Sequence, residues 1–168
     1  MTSAVPEPPS TGAAALVFKN LLFTVLVPGT VAGWGPWLLT RGAPEAPLAW
    51  RLAALPLLAV GVAIYAWCLW DFATFGRGTP APIDAPQRLV VRGLYRWTRN
   101  PMYVGVLATI LGWTLYTRSP GLLLYGGLVW GMFQSFVVRY EEPHLRRAFG
   151  AEYDAYCAAV GRWWPRRR

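Results

Sequence analysis

The stretch that decides the fold is NPMYVGVLATILGWTLYTRSPGLLLYGGLVWGMFQSFVV, residues 100–138. Asn100-Pro101 and Ser119-Pro120 each place a capping side chain directly before a proline, the residue favoured at the first position of a helix. We therefore expect helices to begin at Pro101 and Pro120. The first is about 17 residues long and the second about 20, which is the length that crosses a hydrocarbon core. The stretch predicts a transmembrane helical hairpin.

Two longer apolar runs precede this hairpin, at residues 16–39 and residues 48–70, the first interrupted by Pro28-Gly29. Across its 168 residues the chain is 55% hydrophobic and only 14% charged, whereas soluble domains average about 25% charged residues. These observations predict an all-α polytopic membrane protein with about four transmembrane helices plus cytoplasmic interfacial helices.

The positive charge of the chain follows the connections between apolar runs. The net charge is +8, but the basic residues form no continuous face, so nucleic-acid binding is not predicted. In a four-span arrangement 13 basic residues fall on one side and 3, namely Arg41, Arg51 and Arg118, on the other. The positive-inside rule then predicts that both termini and the connection at residues 71–100 are cytoplasmic.

The predicted organisation is a single domain behind a disordered N-terminus. Residues 1–15 contain several prolines and no basic n-region, so we expect a disordered segment and a retained first helix, not a cleaved signal peptide. Residues 16–70 form the first two transmembrane helices. Residues 71–168 hold a cofactor-binding loop, the hairpin and cytoplasmic C-terminal helices.

The connection at residues 71–100 is longer than most simple linkers. It alternates rigid and apolar pieces, among them Gly78-Thr79-Pro80-Ala81-Pro82 and Leu89-Val90-Val91. Apolar residues interleaved with arginines suit the membrane interface. Two interpretations stay open at this point, a folded functional element and a plain membrane-surface anchor.

Two adjacent carboxylates, Glu141 and Glu142, follow the fourth apolar run. Ionisable groups at a membrane edge are candidates for function. The structural alternative is that Glu142 caps a helix starting at Pro143 while Glu141 pairs with Arg139 or Arg99. We expect that helix to cover residues 143–149 and stop at Gly150, a second segment to cover residues 151–160, and Trp163 and Trp164 to touch the interface.

The sequence predicts no metal site. Cys68 and Cys157 have neither Cys-x-x-Cys spacing nor a His/Cys cluster around them, and inert thiols are the expectation. His144 is expected to be a surface residue at a helix start, since nothing in the sequence supplies a catalytic partner for it.

Three motifs occur in order and carry a resemblance: GLYRWTRNPMYVG at residues 93–105, EEPHL at residues 141–145, and FGAEYDAY at residues 149–156. Together with the Gly-Thr-Pro-x-Pro element they make residues 76–165 similar to the isoprenylcysteine carboxyl methyltransferases and the related phospholipid N-methyltransferases. The resemblance implies an integral membrane enzyme that uses S-adenosyl-L-methionine and a lipophilic small-molecule or lipid acceptor among membrane lipids.

Within that resemblance the cofactor is held by an Arg-(His or Asn)-Pro-x-Tyr motif, the apolar residues before it, and the Glu-Glu pair. The implied cofactor-binding residues are Leu89, Val90, Val91, Gly93, Leu94, Tyr95, Arg99, Asn100, Pro101, Tyr103, Glu141 and Glu142. Asn100 departs from the histidine that many members have, and its amide can only form hydrogen bonds.

Methyl transfer from a sulfonium needs positioning and exclusion of water more than acid or base help. We expect the two glutamates to hold the ribose hydroxyls or amino group, and Arg99 or Arg139 to bind the carboxylate. Glu142 and Arg139 are the predicted catalytic residues, with Glu142 as the base for an amine acceptor and His144 as the other candidate. Tyr95 and Tyr103 either pack on the cofactor or belong to an interfacial aromatic belt.

The identity of the acceptor stays open at the level of sequence, as does the choice among an O, N or S acceptor atom. Two other classes of function compete with the methyltransferase. One is a nicotinamide-dependent membrane reductase of the sterol reductase type, and the other is a non-enzymatic module that binds a lipid or a partner.

Overall fold

The structure, a computed structural model, describes residues 13–76 and 88–166, with side chains from residue 17 onward. In these residues every regular element is helical, which confirms the predicted all-α class. The predicted disorder of residues 1–15 falls mostly outside the described residues, as does the Gly-Thr-Pro-x-Pro element; helix α1 already begins at Ala13.

The first membrane-length segment is a single irregular helix. Helix α1 (Ala13–Leu26) leads into a π-helical stretch (Thr30–Trp34) and then helix α2 (Gly35–Thr40). Backbone hydrogen bonds run from Val27 to Phe23 and from Val31 to Val27, so the helix continues past Pro28. The missing N–H of proline widens the helix here and does not end it.

Helix α3 (Leu48–Asp71) continues through a π-helical stretch (Phe72–Gly76), and it packs along helix α4 (Pro101–Thr117). Gly61 and Gly105 lie at the contact. A Cβ added to Gly105 would lie 2.9 Å from the Gly61 carbonyl oxygen and 3.0 Å from the Tyr65 nitrogen. The two backbones therefore touch, as small residues allow in membrane helix pairs.

The predicted hairpin is present with the predicted helix starts. Helix α4 begins at Pro101 and helix α5 (Pro120–Phe136) at Pro120, with Arg118 in the left-handed conformation between them. The predicted capping interactions are wrong, because neither Asn100 nor Ser119 makes a side-chain cap hydrogen bond. The Asn100 amide instead donates to the Arg162 carbonyl, 3.0 Å away.

The helix predicted to start at Pro143 is in fact a continuation of α5. A π-helical stretch (Val137–Glu141) joins α5 to helix α6 (Glu142–Phe149), and Glu142 has ordinary helical dihedral angles. Glu142 is therefore not a cap, and the wide π turn before Pro143 accommodates its missing N–H. Gly150, with φ at 50°, ends α6 as predicted, and helix α7 (Ala151–Ala159) follows.

Three helices of the described chain are long and apolar enough to cross a membrane: Val17–Thr40, Leu48–Gly76 and Pro120–Phe149. Helix α4 has 17 residues, which corresponds to about 25 Å at 1.5 Å per residue. Large apolar side chains such as Leu124 and Leu128 are 68% and 66% exposed on the outside of the bundle. That surface suits lipid, not water.

Candidate functional site

The polar groups of the candidate site gather at one end of the bundle, called here the motif end, where α3 and α5 end and α4 begins. Consecutive helices run in opposite directions, so Asp71, Pro101 and Phe136 lie at this end. A small cavity of about 30 Å³ opens here. Its lining residues are Arg99, Asn100, Val137, Glu141, Glu142, Leu145, Tyr153 and Tyr156.

Glu141 is bound by one neutral partner. The Tyr103 hydroxyl donates to its Oε2 at 3.1 Å, and no cation of the described residues lies within ion-pair distance of it. The Tyr103 ring is held against Phe133 at 4.5 Å and Trp163 at 6.4 Å between ring centroids. The Glu141 carboxylate is therefore held in place, and its oxygens can accept further hydrogen bonds.

Glu142 is bound by two cations. Arg162 donates Nε to Oε1 at 2.7 Å and Nη2 to Oε2 at 2.9 Å, a bidentate pair, and Arg99 Nη1 lies 3.1 Å from Oε1. The side chains of Arg99 and Glu142 are only 11% and 12% exposed. The predicted pairing of Glu141 with Arg99 or Arg139 is thus wrong, because it is Glu142 that faces the arginines.

The guanidinium group of Arg99 has one nitrogen, Nη1, with several partners and another, Nε, with no partner among the described residues. Nη1 also donates to the Cys157 sulfur at 2.6 Å and to the Tyr153 hydroxyl at 3.4 Å. Nε is buried and has no hydrogen-bond partner among the described residues. A buried guanidinium donor without an acceptor is costly unless a ligand satisfies it.

The aromatic hydroxyls around the cavity stay neutral. Burial raises the pKa of both Tyr153 and Tyr156, since removal from water penalises the charged phenolate. Tyr156 donates its hydroxyl proton to the Tyr95 carbonyl at 2.7 Å. Helix α7 is thereby tied to the segment that precedes α4.

A C-terminal segment, residues 161–163, crosses the motif and is called here the C-terminal strap. The Arg99 backbone N–H donates to the Gly161 carbonyl at 2.9 Å. Thr98 and Asn100 side chains both donate to the Arg162 carbonyl, at 2.8 and 3.0 Å. Trp163 donates Nε1 to the Gln134 side chain at 2.7 Å. The sequence assigned Trp163 only to the interface and gave Arg162 no role beyond its charge.

The apolar residues before the motif lie beside the cavity and do not line it. Leu89, Val90 and Tyr95 are buried, Gly93 and Leu94 are half-buried, and Val91 is 41% exposed. Val90 and Tyr95 pack with Cys68 and Met102, so they support the start of α4. Burial raises the pKa of Tyr95 well above its ordinary value.

The same segment is fastened to α3 by a charge pair. Arg92 Nε lies 3.0 Å from Oδ1 of the buried Asp71. Gly93 has φ at 55° and sits against Asp71, where a Cβ would meet the Trp67 indole nitrogen at 2.9 Å. A residue with a side chain does not fit this turn.

Of the residues singled out in the sequence, Pro101, Arg139 and His144 remain. Pro101 is fully buried at the first turn of α4. Arg139 is exposed and does not line the cavity, so the structure does not bring it together with the glutamates. His144 is stacked on Tyr140 at 6.0 Å between ring centroids. No metal-binding group of three His, Cys, Asp or Glu residues occurs in the described part of the chain.

A helical bundle with membrane-length helices and a cluster of carboxylates and arginines at one end defines the class of protein. A model of the phospholipid methyltransferase family matches residues 50–152, which is more than half of the chain. The chain belongs to that family. This result confirms the resemblance inferred from the three motifs.

The curated relatives of the chain carry methyltransferase names too, and their similarity to it is modest. The chain is 36% identical over 74 residues to the protein-S-isoprenylcysteine O-methyltransferase of Saccharomyces cerevisiae, covering 44% of this chain and 30% of that protein. A probable protein-S-isoprenylcysteine O-methyltransferase of Oryza sativa is 36% identical over 73 residues, covering 44% and 38%. The phosphatidylethanolamine N-methyltransferase of Yarrowia lipolytica is 34% identical over 68 residues, covering 40% and 7%. The matches thus span well under half of each relative.

Proposed function

We propose that the chain is an integral membrane methyltransferase that transfers a methyl group from S-adenosyl-L-methionine to a lipophilic acceptor at the cytoplasmic membrane face. The observation that carries the proposal is the motif-end cluster, in which Arg99 has a buried Nε without a partner among the described residues and Glu141 lines the same cavity. Family membership and relatives with methyltransferase names support the reaction type. No observation favours the reductase or the non-enzymatic alternative.

The residues present fit one end of the cofactor. An amino-acid group carries a carboxylate and an ammonium, and the cavity offers a guanidinium donor and a carboxylate acceptor. Its volume of about 30 Å³ lies far below the roughly 300–1,000 Å³ of pockets that enclose whole ligands. The cavity therefore does not enclose the cofactor, and its polar groups offer contacts to one end of it, the amino-acid group.

The cluster divides the work among its residues. In this proposal Arg99 Nε donates to the cofactor carboxylate, and Glu141 accepts from the ammonium or a ribose hydroxyl. Tyr103 holds Glu141 in place through its hydroxyl. Glu142, held by Arg99 and Arg162, acts as a positioning residue because two cations favour its charged form and make it a weak proton acceptor.

Methyl transfer requires little of the protein beyond this positioning of the cofactor. When bound, the sulfonium supplies an electrophilic methyl group, and the acceptor supplies the electron pair of the new bond. A carboxylate acceptor needs no base. An amine acceptor must lose a proton, and Glu141 is the carboxylate of the cavity that has no cation of the described residues within ion-pair distance. Exclusion of water by the surrounding helices protects the reacting groups.

The test is calorimetric binding of S-adenosyl-L-methionine and S-adenosylhomocysteine to the full chain in detergent, with NADPH as a comparison. We expect micromolar binding of both sulfur compounds, no binding of NADPH, and at least tenfold weaker binding by Glu141→Gln. A tenfold loss corresponds to about 1.4 kcal/mol, close to the lower end of the range for one hydrogen bond to a charged group.

Asp154→Asn is the matched control, because Asp154 pairs with Arg146 on the exposed face of α7 and should leave binding unchanged. Absence of binding to folded parent protein in lipid nanodiscs would contradict the proposed function. Equal binding by the parent and Glu141→Gln would remove Glu141 from the site.

A further inference from the structure

A second polar cavity lies at the end of the bundle opposite the motif end, called here the far end, where α2 and α4 end and α3 begins. Its volume is about 230 Å³, and it lies between the turn that joins α2 to α3 and the last turns of α4. Tyr116, which lines it, and Tyr103, which binds Glu141, lie at opposite ends of α4, about 20 Å apart along the helix axis. The far-end cavity is therefore remote from the candidate cofactor site.

Two arginines line the far-end cavity, and an aromatic ring lies beside each of them. The guanidinium carbon of Arg51 lies 5.3 Å from the centre of the Tyr116 ring, and that of Arg41 lies 6.0 Å from the centre of the Trp37 ring. Arg51 also donates Nε to the Tyr116 hydroxyl at 3.3 Å and Nη1 to Glu45 at 2.6 Å. These contacts favour particular positions of both guanidinium groups at the cavity wall.

Both arginines have donors left for a ligand. Nη2 of Arg51 and the guanidinium nitrogens of Arg41 have no hydrogen-bond partner among residues 17–76 and 88–166. Glu45, whose side chain is 84% exposed, offsets one of the two positive charges. The charged lining residues thus carry one excess positive charge, which matches the single negative charge of a phosphodiester. Guanidinium groups bind phosphate oxygens through paired hydrogen bonds.

The aromatic residues of the far end indicate where such a phosphate comes from. Trp37, Trp50, Trp113 and Tyr116 all lie within the terminal turns of their helices at this end. Tryptophan and tyrosine concentrate at the headgroup level of a membrane, where the lipids themselves supply phosphate groups. The cavity is smaller than the roughly 300–1,000 Å³ of pockets that enclose whole ligands. It therefore suits a headgroup whose acyl chains stay in the bilayer.

We propose that the far-end cavity binds the phosphodiester of a phospholipid from the membrane leaflet opposite the motif end. Arg41 and Arg51 donate to the phosphate oxygens, so the lipid links the turn after α2 to the first turn of α3. This lipid is not the methyl acceptor, because it lies at the other end of α4 from Tyr103. The proposal goes beyond the proposed function and does not depend on it. Arg41 and Glu45 also precede residue 50, where the family match begins.

The first experiment titrates the delipidated full chain in detergent with dioleoyl phosphatidylglycerol and counts bound lipids by native mass spectrometry. We expect one lipid to bind more tightly than any further ones. Dioleoylglycerol, which has the same chains and no phosphate, should not bind at this step. Arg41→Gln should weaken the first binding step about tenfold, the equivalent of about 1.4 kcal/mol. Arg41 is exposed and has no ion pair within the described chain, so this variant should fold.

Arg118→Gln is the matched control. Arg118 is exposed at the same end, 5.2 Å from the centre of the Trp50 ring, and does not line the cavity. It should bind the lipid like the parent. Equal weakening in the two variants, the absence of a preferred first lipid, or equally tight binding of dioleoylglycerol would overturn the proposal. Displacement of the lipid by micromolar inorganic phosphate would assign the cavity to a soluble anion and overturn the lipid assignment.

The second experiment locates the lipid on the parent protein and needs no variant. A phosphatidylethanolamine whose amine is acylated with benzoylbenzoic acid carries a single negative charge and a photoreactive group beside its phosphodiester. It is photolysed with the full chain in nanodiscs, and the labelled peptides are identified by mass spectrometry. We expect labelling of residues 37–51 or 113–117 that excess dioleoyl phosphatidylglycerol removes and excess dioleoylglycerol does not. Labelling confined to the motif end, or labelling that phosphatidylglycerol does not reduce, would overturn the far-end site.

Discussion

Neighbouring residues of like chemistry have different surroundings at the motif end. Glu141 accepts one hydrogen bond from Tyr103, whereas Glu142, the next residue, is held by the guanidinium groups of Arg99 and Arg162. The π-helical stretch that ends at Glu141 sets the directions of the two side chains. From the sequence both glutamates are expected to hold the cofactor and Glu142 to act as the base, whereas in the fold it is Glu142 that faces the protein's own cations.

The first residue-scale prediction concerns stability. Glu142→Gln should lower the free energy of unfolding by about 3 kcal/mol, because it leaves the buried Arg99 and its neighbour Arg162 without their counter-charge. Glu141→Gln keeps an oxygen that accepts from Tyr103 and should cost less than about 1 kcal/mol. Denaturant titration in detergent, followed by circular dichroism, measures both. Equal losses in the two variants would show that the charge pairs do not stabilise the site.

The motif residues show what sequence could and could not predict. Arg99, Asn100, Glu141 and Glu142 were predicted from the resemblance, and the structure gathers them around one cavity. The partner of Asn100 was not predictable, because the Arg162 carbonyl lies 62 positions away in the chain. Local rules assign an Asn before Pro to capping, and a long-range acceptor outcompetes that local choice.

At the scale of elements, the helix starts at Pro101 and Pro120 were predictable because the preference of proline for the first helical turn is local. The continuity of α5 with α6 was not, since Pro143 has the same sequence signature whether a helix starts there or a π-helical turn precedes it. The C-terminal strap has no regular structure, so no periodicity indicates its course. Its position follows from hydrogen bonds to the turn before α4.

The contact between α3 and α4 gives the element-scale prediction. A Cβ at Gly61 would lie 2.7 Å from the Thr109 nitrogen and 2.8 Å from the Gly105 oxygen, both backbone atoms. Gly61→Ala should therefore force the helices apart and cost about 1–3 kcal/mol. Gly127→Ala on α5, where a Cβ meets nothing within 4 Å, should be neutral or slightly stabilising. Unfolding of the two variants side by side measures the difference, and equal stability would contradict a close approach of α3 and α4.

For the whole molecule, the distribution of charge and the lengths of the helices give a single expected orientation. Three helices of the part of the chain that the structure describes are long enough to cross a membrane, and we propose that α4 crosses as the fourth. The motif end then carries most of the arginines, including Arg92, Arg99, Arg146 and Arg162, and the turn between α2 and α3 carries Arg41. The positive-inside rule predicts that the motif end lies in the cytoplasm, where soluble cofactors would reach the cavity.

This orientation predicts which thiols an impermeant maleimide modifies. In a Cys157→Ala background the remaining Cys68 is fully buried, so added cysteines report alone. Ala43→Cys, exposed before α3, should react in right-side-out membrane vesicles, and Ala158→Cys, exposed on α7, only in inverted ones. The segments α3, α4 and α5 separate these two sites, an odd number of crossings that requires opposite sides. Reaction of both cysteines from the same side would show that one of the three does not cross, and α4 would be the one excluded, because α3 and α5 belong to longer continuous helices that suffice to cross a membrane. Reversed sidedness would keep the four-span bundle and place the motif end outside the cytoplasm.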